Sequence, residues 1–128
     1  EEMKMVWETK KILDSSIEVN PTTVRVPVFY GHSEAVHLEL AEKITATRVK
    51  DILMDNSNDV VLIDEHKDGG YPCAANECED SNDVFVGRVR EDISTANGIN
   101  LWVVSNNIRK GAAYNSIQIA ELLIKDYL

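Results

Sequence analysis

The order of helical and extended segments constrains the fold of this chain more than any other feature of its sequence. Apolar residues recur at helical intervals in some segments and alternate with polar residues in others. The predicted elements are, in order, a helix in 1–13, strands in 24–30 and 35–40, a helix in 45–54, a strand in 60–64, a surface loop in 65–83, strands in 84–92 and 99–107, and a helix in 111–128. Because strands and helices do not alternate strictly, the sequence predicts an α+β fold with a mostly antiparallel sheet.

The length and composition are typical of one soluble domain. The 128 residues are 44% hydrophobic and 27% charged, which suffices for a core without disulfides or metals. No apolar run approaches the roughly 18 residues of a membrane span, and the first residues do not resemble a signal peptide, so we expect a cytoplasmic protein. The chain begins at Glu1 and its first methionine is Met3, which favours a piece of a longer protein.

The charge balance argues against two classes of partner. The chain carries 22 acidic and 13 basic side chains, for a formal net charge of −9. Such a surface repels nucleic-acid phosphates and anionic lipid headgroups, so we expect neither nucleic acid nor a membrane as a partner. An anionic small-molecule substrate would have to be held by a few local cations.

Two cysteines, Cys73 and Cys78, are close enough in sequence for a disulfide, a metal pair or a nucleophile to be considered. The acidic neighbours Glu77, Glu79 and Asp80 disfavour a thiolate, and no histidine stands at a metal-ligand spacing. We therefore expect free, reduced thiols and no metal site.

Arg25 lies within a predicted strand that is otherwise apolar apart from a proline. A buried guanidinium needs a carboxylate or another anion to offset its desolvation. The partner is either an acidic side chain of the same chain, which is the commoner case, or an anionic ligand.

His32 follows Gly31 at the predicted end of the same strand, where an imidazole could reach a pocket and exchange a proton near neutral pH. A surface or capping histidine is the plainer alternative, since His37 and His66 have no evident role. The seven steps from Arg25 to His32 would span about 23 Å in an extended strand. If both residues serve one site, the strand must bend or bulge between Pro27 and Gly31, which are residue types that permit it.

Five sequence blocks, in this order and at these spacings, resemble the aspartate-semialdehyde dehydrogenases. The blocks are EEMKMVWETKKIL, RVPVFYGHSEAV, FVGRVR, GINLWVVSNN and IRKGAAYNSIQIAELL. The resemblance implies the C-terminal catalytic and dimerisation domain, with helices packed on one face of the sheet as in glyceraldehyde-3-phosphate-dehydrogenase-like enzymes. It also implies an oxidoreductase that uses NADPH to convert L-aspartyl 4-phosphate into L-aspartate 4-semialdehyde, on the route to lysine (through diaminopimelate), threonine and methionine.

The resemblance also implies roles for individual residues. Arg25 would bind the substrate carboxylate, and His32 would be the catalytic acid and base. Glu1 would meet the substrate ammonium and Lys4 its phosphate, although a surface ion pair between these two residues is the ordinary alternative. Asn107 stands where the family contacts the nicotinamide cofactor.

The departures from the family define what this chain is expected to lack. No glycine-rich phosphate loop, nucleophilic cysteine or second phosphate-binding arginine has a match here. We therefore expect the isolated chain to have neither activity nor bound NADP. The resemblance also implies that residues 1–128, a substrate-binding and dimerisation domain, form a homodimer through the sheet. It implies as well that the terminal helix 111–128 would pack on the absent nucleotide-binding domain. The alternative is a stand-alone, non-enzymatic module for dimerisation or for binding acidic ligands.

Overall fold

The structure, a computed structural model, describes residues 1–56 and 59–128 and confirms the predicted α+β fold. Its elements are α1 (Glu2–Ile12), β1 (His32–Glu39), α2 (Ala46–Asn56), β2 (Val60–Leu62), α3 (Ala74–Glu77), β3 (Val84–Glu91), β4 (Gly98–Ser105) and α4 (Tyr114–Tyr127), with a π-helical turn (Arg109–Ala113) directly before α4. The predicted helices and most predicted strands match these elements to within a few residues.

The four strands form one sheet in the order β1, β4, β3, β2. Strand β4 is antiparallel to both of its neighbours, whereas β2 runs parallel to β3. The sheet is therefore mixed but mostly antiparallel. The pairing of β1 with β4 begins with His32 opposite Ser105, which places the start of β1 beside the end of β4.

A β-bulge interrupts the pairing of β3 with β4 after Gly87. Arg88 has φ +52°, a left-handed conformation that is uncommon for a residue with a side chain. The backbone N–H groups of Arg88 and Val89, which the bulge removes from the ladder, donate instead to the carboxylate of Asp64. The Asp64 carboxylate also forms an ion pair with Lys50 of α2, so contacts outside the ladder stabilise the bulge.

The core lies between the sheet and the segment predicted as a surface loop. The indole N–H of Trp102 donates to the carbonyl of Pro72 at 2.9 Å, which fixes this segment on β4. The buried cluster consists of Ala74, Cys78, Phe85 and Val104, with Ile63 and Trp102 at its border. The segment is thus a folded cover containing α3, rather than loop throughout.

The helices differ in how far they pack on the sheet. Helix α2 contacts β2 and β3, and α3 contacts β4. Helices α1 and α4 have no buried residues, and the main contact of α4 is with the π-helical turn that precedes it. Across the described ranges, no helix has the length and apolar character needed to cross a membrane.

The strand predicted for 24–30 is wrong, because this segment is irregular and mostly exposed. The N–H of Val28 donates to the carbonyl of Val26 at 2.9 Å across Pro27, which turns the chain. Proline has no N–H to donate to a ladder and fixes its own φ. Apolar alternation alone therefore misled the prediction here.

Candidate catalytic site

One hydrogen bond joins the start of α1 to the segment that contains Arg25. The carboxylate of Glu2 accepts the backbone N–H of Thr23 at 2.8 Å. Glu1 and Lys4 belong to the same first turn of the helix, and Arg25 lies two residues after Thr23. The three residues to which the family resemblance gives a role in substrate binding therefore come from two segments that are joined by a hydrogen bond.

The charged groups of these three residues are available to a ligand. Arg25, Glu1 and Lys4 are all exposed. None of them takes part in an ion pair with another residue in the described ranges, although the chain forms such pairs elsewhere. Within residues 1–56 and 59–128, neither of the alternatives considered above is observed: Arg25 has no salt bridge, and Glu1 and Lys4 do not pair with each other.

A second hydrogen bond brings His32 and Asn107 to the same end of the sheet. His32 is the first residue of β1 and lies opposite Ser105, which is two residues before Asn107. The N–H of Gly31 donates to Oδ1 of the half-buried Asn107 at 3.0 Å. The imidazole of His32 is exposed, so it can exchange a proton with solvent or with a ligand.

Gly31 makes the turn that leads into His32, and only glycine fits there. Its φ is +89°, in the left-handed region that residues with a side chain rarely adopt. A Cβ added at this position would also lie 2.5 Å from Sγ and 2.8 Å from Cβ of Cys78, and 3.1 Å from the carbonyl oxygen of Ser105. The conformation of the turn and its close approach to the core thus exclude every other residue.

The chain is bent between Arg25 and His32, as a shared site requires. The turn at Pro27 and the left-handed Gly31 replace the straight strand that would have held the two side chains about 23 Å apart. Two surface concavities in the described part of the chain lie elsewhere, one along α4 and one between 64–71 and 88–90. A common pocket for Arg25 and His32 stays a prediction.

The two cysteines are free and differ in their environment. Cys73 is exposed, whereas Cys78 is buried at the end of α3. Burial raises the pKa of the Cys78 thiol, and the negative charge of Glu77 adds to the effect. A thiol that resists ionisation is a poor nucleophile, in agreement with the prediction from its acidic neighbours. No metal-binding cluster of histidine, cysteine and acidic residues occurs within residues 1–56 and 59–128.

Asn106 is a structural residue of this region that the sequence reasoning missed. It is 2% exposed, and its Nδ2 donates to the carbonyls of Cys78 and Glu79. Its Oδ1 accepts the N–H groups of Ile108 and Arg109, each at 2.9 Å, at the start of the π-helical turn. Asparagine is a typical capping residue near the start of a helix, and the position of Asn106 a few residues ahead of the predicted helix in 111–128 is the signal that could have identified it.

Comparison with known proteins gives a consistent result across sequence and structure. The family described as "Semialdehyde dehydrogenase, dimerisation domain" matches residues 1–110. Among curated relatives, a protein named aspartate-semialdehyde dehydrogenase from Shewanella sp. (strain DB6705) is 59% identical over 99% of this chain. Aspartate-semialdehyde dehydrogenase 2 of Vibrio cholerae is 55% identical over 99% of it. The chain spans 37% of the length of each of these relatives.

Solved structures show the same similarity. A crystal structure titled aspartate semialdehyde dehydrogenase II complexed with ASA, from Vibrio cholerae, aligns with a TM-score of 0.91 at 54% identity. A probable aspartate-semialdehyde dehydrogenase from Pseudomonas aeruginosa aligns with a TM-score of 0.86 at 35% identity. Each alignment covers 99% of this chain and 37% of the solved one.

Proposed function

This chain belongs to the semialdehyde dehydrogenase family, as its dimerisation domain, and we propose that it is the C-terminal substrate-binding and dimerisation part of an aspartate-semialdehyde dehydrogenase. The observation that carries the proposal is 59% identity over 99% of the chain with a protein of that name. A stand-alone, non-enzymatic module is not favoured, because the relatives that match the whole chain are named as enzymes.

The proposed reaction is the NADPH-dependent reductive dephosphorylation of L-aspartyl 4-phosphate to L-aspartate 4-semialdehyde, in lysine, threonine and methionine biosynthesis. When bound, NADPH supplies the hydride. The longer protein would contribute the nucleotide-binding domain and a nucleophilic cysteine, which forms a thioester with the substrate as phosphate leaves. An enzyme of amino-acid biosynthesis is expected in the cytoplasm.

Arg25 would bind the α-carboxylate of the substrate. Its guanidinium is exposed and has no ion-pair partner in the described ranges, so its planar donors remain available for a bidentate contact. Lys4 and Glu1, on the helix start bonded to the Arg25 segment, would meet the phosphate and the ammonium group respectively. Each charge of the substrate then faces a side chain of opposite charge.

His32 would act as the acid and base. It would accept the proton of the attacking thiol and donate a proton to the oxyanion that develops at the reacting carbonyl. Its exposed position at the first residue of β1 leaves the imidazole open to a substrate that approaches the end of the sheet.

Asn107 would contact the nicotinamide. Its Oδ1 is already engaged by the N–H of Gly31, whereas its Nδ2 has no hydrogen-bond partner in the described part of the chain. The amide therefore retains a donor for a carboxamide oxygen, and in this respect the residue fits the role. The residues that select NADP over NAD would belong to the nucleotide-binding domain.

The proposal predicts that the isolated 128 residues have no dehydrogenase activity and do not measurably bind NADP+, since neither the nucleophile nor the phosphate loop is among them. The test is a chimera in which this chain replaces the matching 37% of the Vibrio cholerae relative. The chimera should reduce aspartyl phosphate with NADPH, while the same protein without the segment should not. A folded chimera without activity, or turnover by the isolated chain, would contradict the proposal.

A further inference from the structure

We propose that Cys78 and Asn107 are positioning residues that hold the Gly31 turn from two sides and so set the position of the His32 imidazole. This inference rests on the proposed function, because it assumes that His32 is the acid and base. It assigns a role to the segment between β2 and β3, which the proposed reaction leaves unused.

The first constraint is the packing of the Cys78 side chain against the Gly31 turn. The space that a Cβ of Gly31 would occupy is already filled by the side chain of Cys78, with Sγ only 2.5 Å from the ideal Cβ position. The Cys78 side chain therefore lies directly against the backbone of Gly31. Since interiors are close-packed, a larger side chain at position 78 has to displace the turn or the core.

The core at Cys78 is not free to yield. Cys78 is fully buried in the cluster with Phe85 and Val104, and its carbonyl accepts a hydrogen bond from the buried Asn106. The same segment is held to β4 by the bond from Trp102 to the carbonyl of Pro72. Because the core side is held in this way, a larger side chain at position 78 should displace the Gly31 turn.

The second constraint is the hydrogen bond from the N–H of Gly31 to Oδ1 of Asn107. Asn107 directly follows Asn106, whose four hydrogen bonds fix the chain between β4 and the π-helical turn. The left-handed Gly31 is therefore held by a hydrogen bond as well as by packing, immediately before His32. These two contacts involve neither substrate nor cofactor, so through them Cys78 and Asn107 act on the geometry of the turn, and Nδ2 of Asn107 is left for the nicotinamide.

The first experiment enlarges the core at two matched positions in the full-length dehydrogenase. Cys78→Val should lower kcat about tenfold or more, since a displacement near 1 Å can cost up to about a hundredfold. It should also alter the pH profile of kcat while KM changes by less than about twofold. The control is Ala74→Val, which enlarges the same buried cluster at a residue that is not among the near neighbours of Gly31. Equal kcat and pH profiles for the two variants, at equal melting temperatures, would overturn the role of Cys78.

The second experiment remains decisive even if Cys78→Val does not fold. Asn107→Asp removes the Nδ2 donor but retains an oxygen for the Gly31 N–H, whereas Asn107→Ala removes both. At saturating NADPH the alanine variant should have a kcat at least about fivefold below that of the aspartate variant, a difference of about 1 kcal/mol that corresponds to one hydrogen bond. Equal kcat values would overturn the role of Asn107.

His32→Ala separates a failure of this inference from a failure of the proposed function. If His32→Ala retains full activity, the proposed acid and base is wrong and the positioning roles fall with it. If His32→Ala abolishes turnover while Cys78→Val matches its control and the two Asn107 variants match each other, the proposed function stands and only the positioning roles are overturned.

Discussion

At the scale of single residues, the cations of this acidic chain divide into paired and unpaired groups. Five basic side chains already have acidic partners, and these are Lys10, Lys50, Lys67, Arg109 and Lys110. Arg25 and Lys4 have none in the described ranges, although the net charge of −9 makes carboxylates abundant. Six other lysine and arginine side chains of the described ranges have no ion pair either. The feature that favours recognition of one anionic ligand by Arg25 and Lys4 is therefore the hydrogen bond that links their two segments.

Substitution of Arg25 should affect the substrate more than the cofactor. In the full-length enzyme, Arg25→Lys should raise the KM for aspartyl phosphate about tenfold or more, because lysine cannot form the bidentate contact and a charged hydrogen bond is worth about 1.5–3 kcal/mol. The KM for NADPH should stay unchanged, and His32→Ala should instead lower kcat. Steady-state kinetics in both substrates measures these effects, and equal substrate and cofactor defects in Arg25→Lys would indicate misfolding.

The two thiols should react very differently with an alkylating reagent. Cys73 is exposed, whereas Cys78 is fully buried and burial raises its pKa. Iodoacetamide at pH 7.5 should therefore label one thiol in the native chain and both after unfolding in guanidinium. Mass spectrometry of the peptides identifies the site, and Cys73→Ser should abolish native labelling. Rapid native labelling of Cys78 would show that the cover over Gly31 opens.

At the scale of elements, periodicity identified most of the sheet but failed where tertiary pairing decides the outcome. The segments at 84–92 and 24–30 both have β-type residues, yet only the first has a neighbouring strand on each side. The second contains Pro27 and pairs with none of the described strands, so the same residue types form an exposed, bent segment. The four-residue α3 was missed because it is too short for a helical period to show.

The candidate site shows the same limit. The sequence and the family resemblance singled out Arg25, His32 and Asn107 individually. The contact between Gly31 and Asn107 joins residues 76 positions apart, and no local pattern encodes it. The packing of Gly31 on Cys78 likewise arises only once the segment between β2 and β3 has folded over the sheet. The sequence could therefore indicate which residues belong to the candidate site, but not the long-range contacts of the Gly31 turn.

The turn between β3 and β4 depends on one carboxylate and should weaken in acid. Asp92 accepts the N–H groups of Ser94 and Thr95 and lies 3.0 Å from Nδ1 of His37 on β1. The hydrogen bonds from Ser94 contribute most to lowering the pKa of Asp92 below its ordinary value of 3.8, and His37 adds to them. Because the pKa is lowered in the folded state, this stabilisation is fully present above pH 3.8 and is lost as the pH falls through the folded-state pKa.

Asp92→Asn should therefore lower the melting temperature at pH 6, and the difference from the unsubstituted chain should shrink steadily below pH 3.8. Thermal unfolding followed by circular dichroism between pH 2.5 and 6 measures the effect. Asp126→Asn on the exposed face of α4 is the control, and it should leave the melting temperature unchanged throughout. A difference for Asp92→Asn that persists undiminished at the lowest pH would contradict the assigned role of the carboxylate.

At the scale of the whole molecule, much apolar surface is exposed that a solitary chain would be expected to bury. Helix α4 is joined to Asp59 by its residue Gln118. The side chains of Gln118 and Lys110 both donate to the Asp59 carboxylate, and Lys110 also donates to Gln118. Its apolar side chains nevertheless remain open, with Ile124 64% and Tyr127 77% exposed. In the described part of the chain, no residue of this helix is buried, and its main contact is with the π-helical turn rather than with the sheet. We propose that α4 packs on the nucleotide-binding domain of the longer protein, which would cover these side chains.

The sheet has a second exposed surface, at strand β1. The prediction that the isolated chain is a homodimer depends on this surface. Strand β1 is at the edge of the sheet and is exposed along most of its length, with Leu38 37% exposed. The matching family is described as a dimerisation domain, and we propose that two copies pair through this sheet. Light scattering after size exclusion should therefore give a dimer at low micromolar concentration.

Two matched variants decide which surface joins the copies. Leu38→Glu places a charge on β1, where burial against a partner would cost several kcal/mol, so it should yield a monomer if the sheet forms the interface. Ile124→Glu places the same charge on α4 and should leave the dimer intact. The opposite result would mean that, in the absence of the nucleotide-binding domain, the copies associate through α4, because burial of Ile124 and its large apolar neighbours is worth about 1.5–3 kcal/mol for each side chain. A monomer before any substitution would show instead that neither surface suffices alone, and that dimerisation requires contacts from the remainder of the longer protein.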